Sequence, residues 1–183
     1  MGVRAGCWLL ALSALLAACS SEEPPGALPP VQESVSPSVG PMPVPSPSSL
    51  DFERTSRGAS AFATFFLHSV GLAYQSADPR LIDELSAPEC GGCKVLISGI
   101  SELRDAGHRR VGGEYVVLSA VAPALNGGDT VVDVIYERPE AEILDQEGAT
   151  VASAGPVAST TAQVRVLWQG DGWVVQGYRT FAP

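Results

Sequence analysis

The fold is decided by the stretch "TSRGASAFATFFLHSVGLAYQSAD", residues 55–78, in which apolar side chains recur at three- and four-residue steps. This spacing places them on one face of an α-helix, so the stretch predicts a long helix with a broad face toward the core. Thr55 or Ser56 is suited to cap its start, and His68 falls on the opposite, solvated side. We interpret the aromatic residues as core packing rather than as a cofactor site. The apolar face comprises Phe62, Phe65, Phe66, Ser69, Val70, Ala73 and Tyr74.

Two further helices are predicted before any strand. Asp78 followed by Pro79 is a common helix start, and this second helix is expected to run to about Leu85. The third helix begins with "CGGC", residues 90–93, and is expected to stop at Gly107. Its apolar face would contain Cys93, Leu96, Ile97, Ile100 and Leu103.

After "VGG", residues 111–113, the apolar pattern changes to a period of two, which predicts strands. The turn sequence "QGDG", residues 169–172, joins the last two strands as a hairpin. Helices followed by strands indicate an α+β fold, with three N-terminal helices packed on a curved, mostly antiparallel sheet of four to six strands. The strands are expected at 114–123, 129–139, a weaker pair within 141–151, 159–169 and 173–181.

Two resemblances to known families agree with this reading. The stretch "GASAFATFFLHSVGLAYQSADPRLIDELSAPECGGC", followed by a helix and "VGG", resembles a domain family of unknown function found in actinobacterial lipoproteins. In that family an Ala-Phe helix, an Ala-Tyr-x-x-x-Asp turn and a C-x-x-C motif follow one another, which matches residues 58–113. The element order and the ending "LWQGDGWVVQGY" are similar to the cone-shaped nuclear transport factor 2-like superfamily. Neither resemblance implies a catalytic residue in this chain.

The first eighteen residues, "MGVRAGCWLLALSALLAA", combine one basic residue with an apolar run that is too short to span a bilayer. They are typical of a secretory signal peptide, and "LAAC", residues 16–19, matches a lipobox. We therefore predict cleavage before Cys19 and acylation of Cys19, including palmitate. The lipid would hold the protein on the extracytoplasmic face of the cell membrane. The alternative is an ordinary signal peptide that is cut at "AAC".

Residues 19–51 are rich in proline and serine and are expected to form a disordered tether. One globular domain, residues 52–183, is predicted to follow. The formal net charge of −9 disfavours nucleic acid as a partner, because binding phosphates needs a basic face. The only basic cluster, "HRR" at residues 108–110, is interpreted as a solvated loop.

Only Cys90 and Cys93 remain once the leader and the lipid account for Cys7 and Cys19. Two cysteines are too few for a structural zinc site, and His68 and His108 lack metal-type spacing to them, so no metal or other cofactor is expected. A thiol oxidoreductase would place C-x-x-C at a helix start but would lead into it from a strand. We favour a structural disulfide, with the two glycines relieving backbone strain in the small ring.

These features predict a non-enzymatic binding or interaction module. Its partner would be an envelope protein, a cell-wall component or a small apolar ligand. The second reading is an enzyme that uses a carboxylate and a tyrosine for acid-base chemistry in the cone pocket. A thiol-disulfide redox protein is the third reading, and no catalytic residue is assigned. The candidate pocket residues are Tyr74, Asp78, Tyr115, Asp133 and Tyr136.

Overall fold

The structure, a computed structural model, describes residues 52–125 and 127–181. The described residues lie within one compact unit, Pro43–Pro183. The predicted signal peptide, the lipidated Cys19 and the tether of residues 19–51 lie outside the described residues. Within the part that is described, no helix is both long enough and apolar enough to cross a membrane.

Three helices precede all described strands, as predicted. The Thr55 hydroxyl caps the first helix by accepting a hydrogen bond of 3.0 Å from the Gly58 amide. The Asp78 carboxylate accepts a hydrogen bond of 3.1 Å from the Arg80 amide, and Pro79 takes the N-cap position of the second helix, one residue from its predicted place. The helices are α1 (Ser56–Ser76), α2 (Arg80–Asp83) and α3 (Gly91–Asp105).

Seven strands follow in the described part of the chain and form two antiparallel sheets. The larger sheet has the order β2-β3-β6-β7 and the smaller sheet the order β1-β4-β5. The predicted α+β class, helices packed on antiparallel sheets, is confirmed. The strands are β1 (Arg109–Gly112), β2 (Val116–Val121), β3 (Asp129–Arg138), β4 (Ala141–Leu144), β5 (Thr150–Ala154), β6 (Val157–Gln169) and β7 (Gly172–Phe181).

The structure corrects the sequence prediction at one strand. The segment "HRR" is not a solvated loop, because Arg109 and Arg110 begin β1 and pair with Leu144 and Ile143 of β4. This additional strand completes the smaller sheet, so the described chain has more strands than the four to six expected. The other predicted strands form within a few residues of their expected limits.

The core lies between α1 and the larger sheet. Most of the predicted apolar face of α1 is buried, with Phe65 and Tyr74 half-buried, and His68 on the opposite face is exposed, as expected. The strands contribute alternate residues, since every second side chain of a strand points to the same face. The fully buried residues include Phe66, Leu67 and Val70 of α1, Ile82 of α2, Ile100 of α3, and Val132, Val134, Val164, Val166 and Val175 of the sheet.

Strand β7 forms backbone hydrogen bonds with the segment between α2 and α3. The Leu85 carbonyl accepts a 2.8 Å hydrogen bond from the Val175 amide, and the Val175 carbonyl accepts one of 2.9 Å from the Ala87 amide. The first turn of α3 then lies directly on the backbone of β7. A Cβ atom added at Gly92 would stand 1.9 Å from the Tyr178 carbonyl oxygen, far inside van der Waals contact. Only glycine permits this approach.

The "CGGC" glycines therefore have a different role from the one expected. Neither Gly91 nor Gly92 has a positive φ, so relief of backbone strain does not explain them. Gly92 permits the contact with β7, whereas a Cβ at Gly91 would meet no atom within 4 Å. The flanking Cys90 and Cys93 are fully buried, and their sulfurs lie 2.04 Å apart, the distance of a disulfide bond.

Replacement of Gly92 by alanine is expected to destabilise the domain by at least about 2 kcal/mol, because backbone atoms cannot move away as a flexible side chain would. Gly91→Ala is the matched control and should change the stability by less than about 1 kcal/mol. Urea unfolding under non-reducing conditions measures both values. Equal stabilities of the two variants would show that α3 does not need this close contact.

Candidate functional site

A cavity of about 660 Å³ lies at the junction of α3 with both sheets. Helix α3 contributes a stripe of small and aliphatic residues, Gly92, Leu96, Gly99 and Leu103. This stripe lies beside the face of α3 that enters the core. One face of the helix therefore packs in the core, and the neighbouring face lines the cavity. Strands β1 and β3 to β7 supply the remaining wall, together with the end of α1.

All four tyrosines of the chain line this space, which we call the tyrosine cavity. The rings of Tyr115 and Tyr136 lie 5.2 Å apart between their centroids, and Tyr178 makes an edge contact of 5.6 Å with Phe66 of the core. Tyr74 enters from α1, and Gly99 leaves room for its hydroxyl, since a Cβ at Gly99 would stand 3.2 Å from that oxygen. Aromatic rings thus come from α1, β3, β7 and the segment before β2.

Burial raises the pKa of Tyr74, Tyr136 and Tyr178 above the ordinary tyrosine value of 10.0. Neighbouring tyrosine hydroxyls raise them further, because a second phenolate in the same cavity would repel the first. These three side chains are therefore neutral at physiological pH. Each can donate and accept one or more hydrogen bonds at the cavity wall.

Arg110 of β1 brings a charge into the tyrosine cavity. The residue is only 6% exposed, and its guanidinium carbon lies 4.3 Å from the centroid of the Tyr74 ring and 5.8 Å from that of Tyr115. Its Nε and Nη2 atoms are buried without a hydrogen-bond partner among the described residues. Burial lowers the pKa of Arg110, but an arginine side chain stays protonated throughout the physiological range.

Two more arginines, Arg138 and Arg179, line the tyrosine cavity, and both have partners. Arg138 donates to the Gly155 carbonyl at 2.7 Å, and Arg179 donates to the side-chain oxygen of Gln163. Among the described residues that line the cavity, none is acidic. The cavity therefore has a positive lining in a chain with a formal net charge of −9.

The structure brings together three of the five candidate pocket residues. Tyr74, Tyr115 and Tyr136 line the tyrosine cavity, whereas Asp78 and Asp133 do not. Asp78 forms an ion pair with Arg80 near the start of α2, and the hydrogen bond from Arg80 lowers the pKa of this carboxyl. Asp133 is on the exposed face of β3 and accepts a hydrogen bond of 2.9 Å from Gln163. The expected pairing of a carboxylate with a tyrosine is not assembled there.

Arg110 and Tyr178 are among the cavity residues that the sequence did not predict. In β1 the charged Arg110 is buried and Val111 is 40% exposed, which inverts the usual polarity pattern of a strand. In β7 the pairing shifts by one residue, since Val175 pairs with Val166 but Gly177 pairs with Arg165. This bulge changes which side chains face inward and turns Tyr178 toward the cavity. The sequence contains one indication of this site, which is that three of the five predicted pocket residues are tyrosines.

The cysteines and histidines do not form a metal centre in the described part of the chain. No group of three or more potential ligands from histidine, cysteine, aspartate and glutamate comes together there. Cys90 caps α3, where its sulfur accepts a hydrogen bond of 3.2 Å from the Cys93 amide. Both sulfurs lie in the core and not at the cavity surface.

Comparison with protein families identifies a match over residues 38–179, most of the chain. The chain belongs to the family of unknown function DUF6318. The match spans the three helices and the two sheets that surround the tyrosine cavity, so this cavity is part of the DUF6318 domain. A comparison with curated proteins finds no sequence that matches.

Solved structures are similar to this DUF6318 chain at low sequence identity. The intermembrane space region of the chloroplast protein ARC6 has a TM-score of 0.53 and 16% identity, over 70% of this chain and 97% of that one. An uncharacterized protein with a cystatin-like fold from Caulobacter vibrioides has a TM-score of 0.44 and 9% identity, over 66% and 86% of the two chains. Such likeness concerns the fold alone.

Replacement of Arg110 by methionine is expected to raise the free energy of unfolding by about 1 kcal/mol or more. A buried charge without full hydrogen bonding costs several kcal/mol, and contacts with the tyrosine rings recover only about 2 kcal/mol. Arg109→Met, at the exposed neighbouring position, should change the stability by less than about 0.5 kcal/mol. Denaturant unfolding tests both. If Arg110→Met is less stable than the natural protein and Arg109→Met is not, the charge of Arg110 is well compensated by its surroundings.

The raised tyrosine pKa values predict loss of stability in alkali. Unfolded tyrosines lose their protons near pH 10, whereas the folded ones keep theirs, so deprotonation favours the unfolded state above about pH 10. Below that pH the contribution is fully present. Unfolding midpoints measured from pH 8 to 12 should stay level up to about pH 10 and then fall, while tyrosinate absorbance near 295 nm rises as the domain unfolds. Formation of two or more tyrosinates per chain near pH 10 in a still folded domain would contradict the burial argument for Tyr74, Tyr136 and Tyr178.

Proposed function

We propose that this protein is a membrane-anchored lipoprotein of the cell envelope, whose α+β domain is a non-enzymatic module that binds a small ligand in the tyrosine cavity. One observation carries the binding role: four tyrosines and a buried arginine surround a volume of about 660 Å³. Sites for small molecules are concave, largely apolar and supplied with a few convergent polar groups, and they commonly enclose about 300–1,000 Å³. The tyrosine cavity has these properties.

Binding suits this lining better than acid-base catalysis. A general base works best with a pKa near the operating pH, and burial moves the pKa of Tyr74, Tyr136 and Tyr178 away from that range. The two aspartates of the enzyme hypothesis, Asp78 and Asp133, lie elsewhere on the domain. Neutral hydroxyls and a fixed arginine charge are suited to holding and orienting a ligand.

The redox alternative has less support. Cys90 and Cys93 are fully buried, and a thiol pair that exchanges with a substrate must be reached by it. The sulfurs are at bonding distance, and Cys90 and Cys93 flank the turn that fixes α3 on β7. A structural disulfide fits this location and an oxidising compartment outside the membrane.

The anchor is supported by the sequence of the leader. "LAAC" at residues 16–19 places a cysteine directly after two small residues and an apolar segment. The resemblance to actinobacterial lipoprotein domains points to the same location. A diacylated cysteine followed by a tether of about thirty residues would hold the domain outside the lipid surface.

Labelling with radioactive palmitate tests the anchor in cells that express the full chain. Label should be incorporated by the natural chain and by Cys7→Ala, and should be lost in Cys19→Ala. The same substitution should move the protein from the detergent phase to the aqueous phase after phase separation. Palmitate that persists in Cys19→Ala would overturn the lipidation proposal.

Fluorescence of 8-anilinonaphthalene-1-sulfonate tests the binding role on the purified protein. Val95 lines the cavity and is 73% exposed, so Val95→Trp adds bulk at the mouth without disturbing the core. Val121→Trp is the matched control, since Val121 is 63% exposed and does not line the cavity. We expect Val95→Trp to weaken the probe about tenfold or more and Val121→Trp to have no effect. Equal binding by both variants would place the probe elsewhere.

A further inference from the structure

We propose that the ligand of the tyrosine cavity is an organic carboxylate with an apolar or aromatic body, and that Arg110 binds its charged group. This inference rests on the proposed binding function and adds the chemical class of the ligand. It replaces the small apolar ligand expected from the sequence by an amphipathic anion. The argument depends on Arg110, on the charge of the lining and on the shape of the free donor edge.

Arg110 is a buried cation whose hydrogen bonding is incomplete. The Tyr74 and Tyr115 rings and the Tyr115 hydroxyl stabilise the charge, but Nε and Nη2 still lack the hydrogen bonds that water would give them. Buried polar groups are normally hydrogen-bonded, so two unpartnered guanidinium nitrogens in one side chain need an explanation. An anion brought to this side chain would supply both the missing acceptors and the missing negative charge.

The surrounding charges also favour an anion. Arg138 and Arg179 lie on the same lining as Arg110, and the acidic residues of this chain lie outside the described lining. Glu102, an exposed residue of α3, is an acid whose charge acts on Tyr74 although it does not line the cavity. A cleft lined by one sign of charge raises the local concentration of ligands of the opposite sign.

The free donors of Arg110 indicate a carboxylate. Nε and Nη2 lie on one edge of the planar guanidinium, where their N–H bonds are nearly parallel and match the two oxygens of a carboxylate. The same chain shows this pairing at its surface, where Nε and Nη2 of Arg80 donate to the two oxygens of Asp78 at 2.9 and 2.7 Å. Arg110 offers the same edge without an internal acid.

Access to that edge requires one side chain to move. Both nitrogens are buried, and the centroid of the Tyr115 ring lies 5.8 Å from the guanidinium carbon. Tyr115 lies in the irregular segment between β1 and β2 and is only half-buried, so its ring can rotate at lower cost than that of the buried Tyr136. We infer that Tyr115 swings aside and then covers the bound ligand.

The body of the ligand would lie against apolar surface. Leu96 and Leu103 of α3 and Ile143 and Val157 of the strands line the same cavity as Arg110 and the tyrosine rings. Removal of an apolar body from water against these residues would supply affinity, while Arg110 would select the charged end. Small anions without such a body are expected to bind weakly.

Isothermal calorimetry with matched aromatic probes tests this assignment on the purified protein. 2-Naphthoate is expected to bind at least about tenfold more tightly than 2-naphthamide, which has the same body without the charge. Arg110→Met should remove this preference, and Arg110→Lys should restore only part of it, because lysine keeps the charge but lacks the forked donor edge. Arg109→Met, at the exposed neighbouring position, should behave as the natural protein.

Each other result overturns a defined part of the inference. Equal affinity for 2-naphthoate and 2-naphthamide would leave the binding role intact and reject the anionic class. Tighter binding of 2-naphthyl phosphate would replace the carboxylate by a phosphate, and binding of acetate or inorganic phosphate as tight as that of 2-naphthoate would reject the apolar body. Absence of binding by every probe, including 8-anilinonaphthalene-1-sulfonate, would count against both the class and the proposed function.

Discussion

The contact between the first turn of α3 and the backbone of β7 is the constraint on which the rest of the domain depends. Gly92 and the Tyr178 carbonyl approach more closely than any side chain would allow, and the adjacent cysteines lie in the core at bonding distance. This contact sets the direction in which α3 leaves the larger sheet. The helix therefore buries Cys93 and Ile100 while its neighbouring stripe remains available to line a cavity.

The walls of the tyrosine cavity include a stable apolar core and one residue that lowers the stability of the domain. The wall of α1 and the larger sheet is a close-packed apolar core, which can support an unfavourable group elsewhere in the same domain. Arg110 is such a group, because its charge is buried and its donors are incompletely paired. Residues that lower stability are common in functional sites. They are retained because they bind a ligand and not because they help the domain to fold.

Much of the fold could be predicted from the sequence, because the helical and strand periods are strong in α1, β3 and β6. Three tyrosines of the cavity were also found among the candidate pocket residues. Arg110 could not be found in this way, because β1 buries an arginine and exposes Val111. Tyr178 was missed because a bulge in β7 changes the side-chain phase, which depends on strand pairing. Asp78 and Asp133 show the opposite error, because they were predicted to line the pocket but lie at the surface.

The position of β7 in the chain has a consequence for biosynthesis. This strand is the last described element, yet it receives the earliest parts of the domain: Trp173 donates to the Glu53 carbonyl, 120 residues away, and Val175 pairs with the segment before α3. Contacts at such separation form slowly, because a long loop must close first. A chain synthesised from its N-terminus presents an incomplete core until β7 has been made. The domain is thus expected to fold only after synthesis of its final strand.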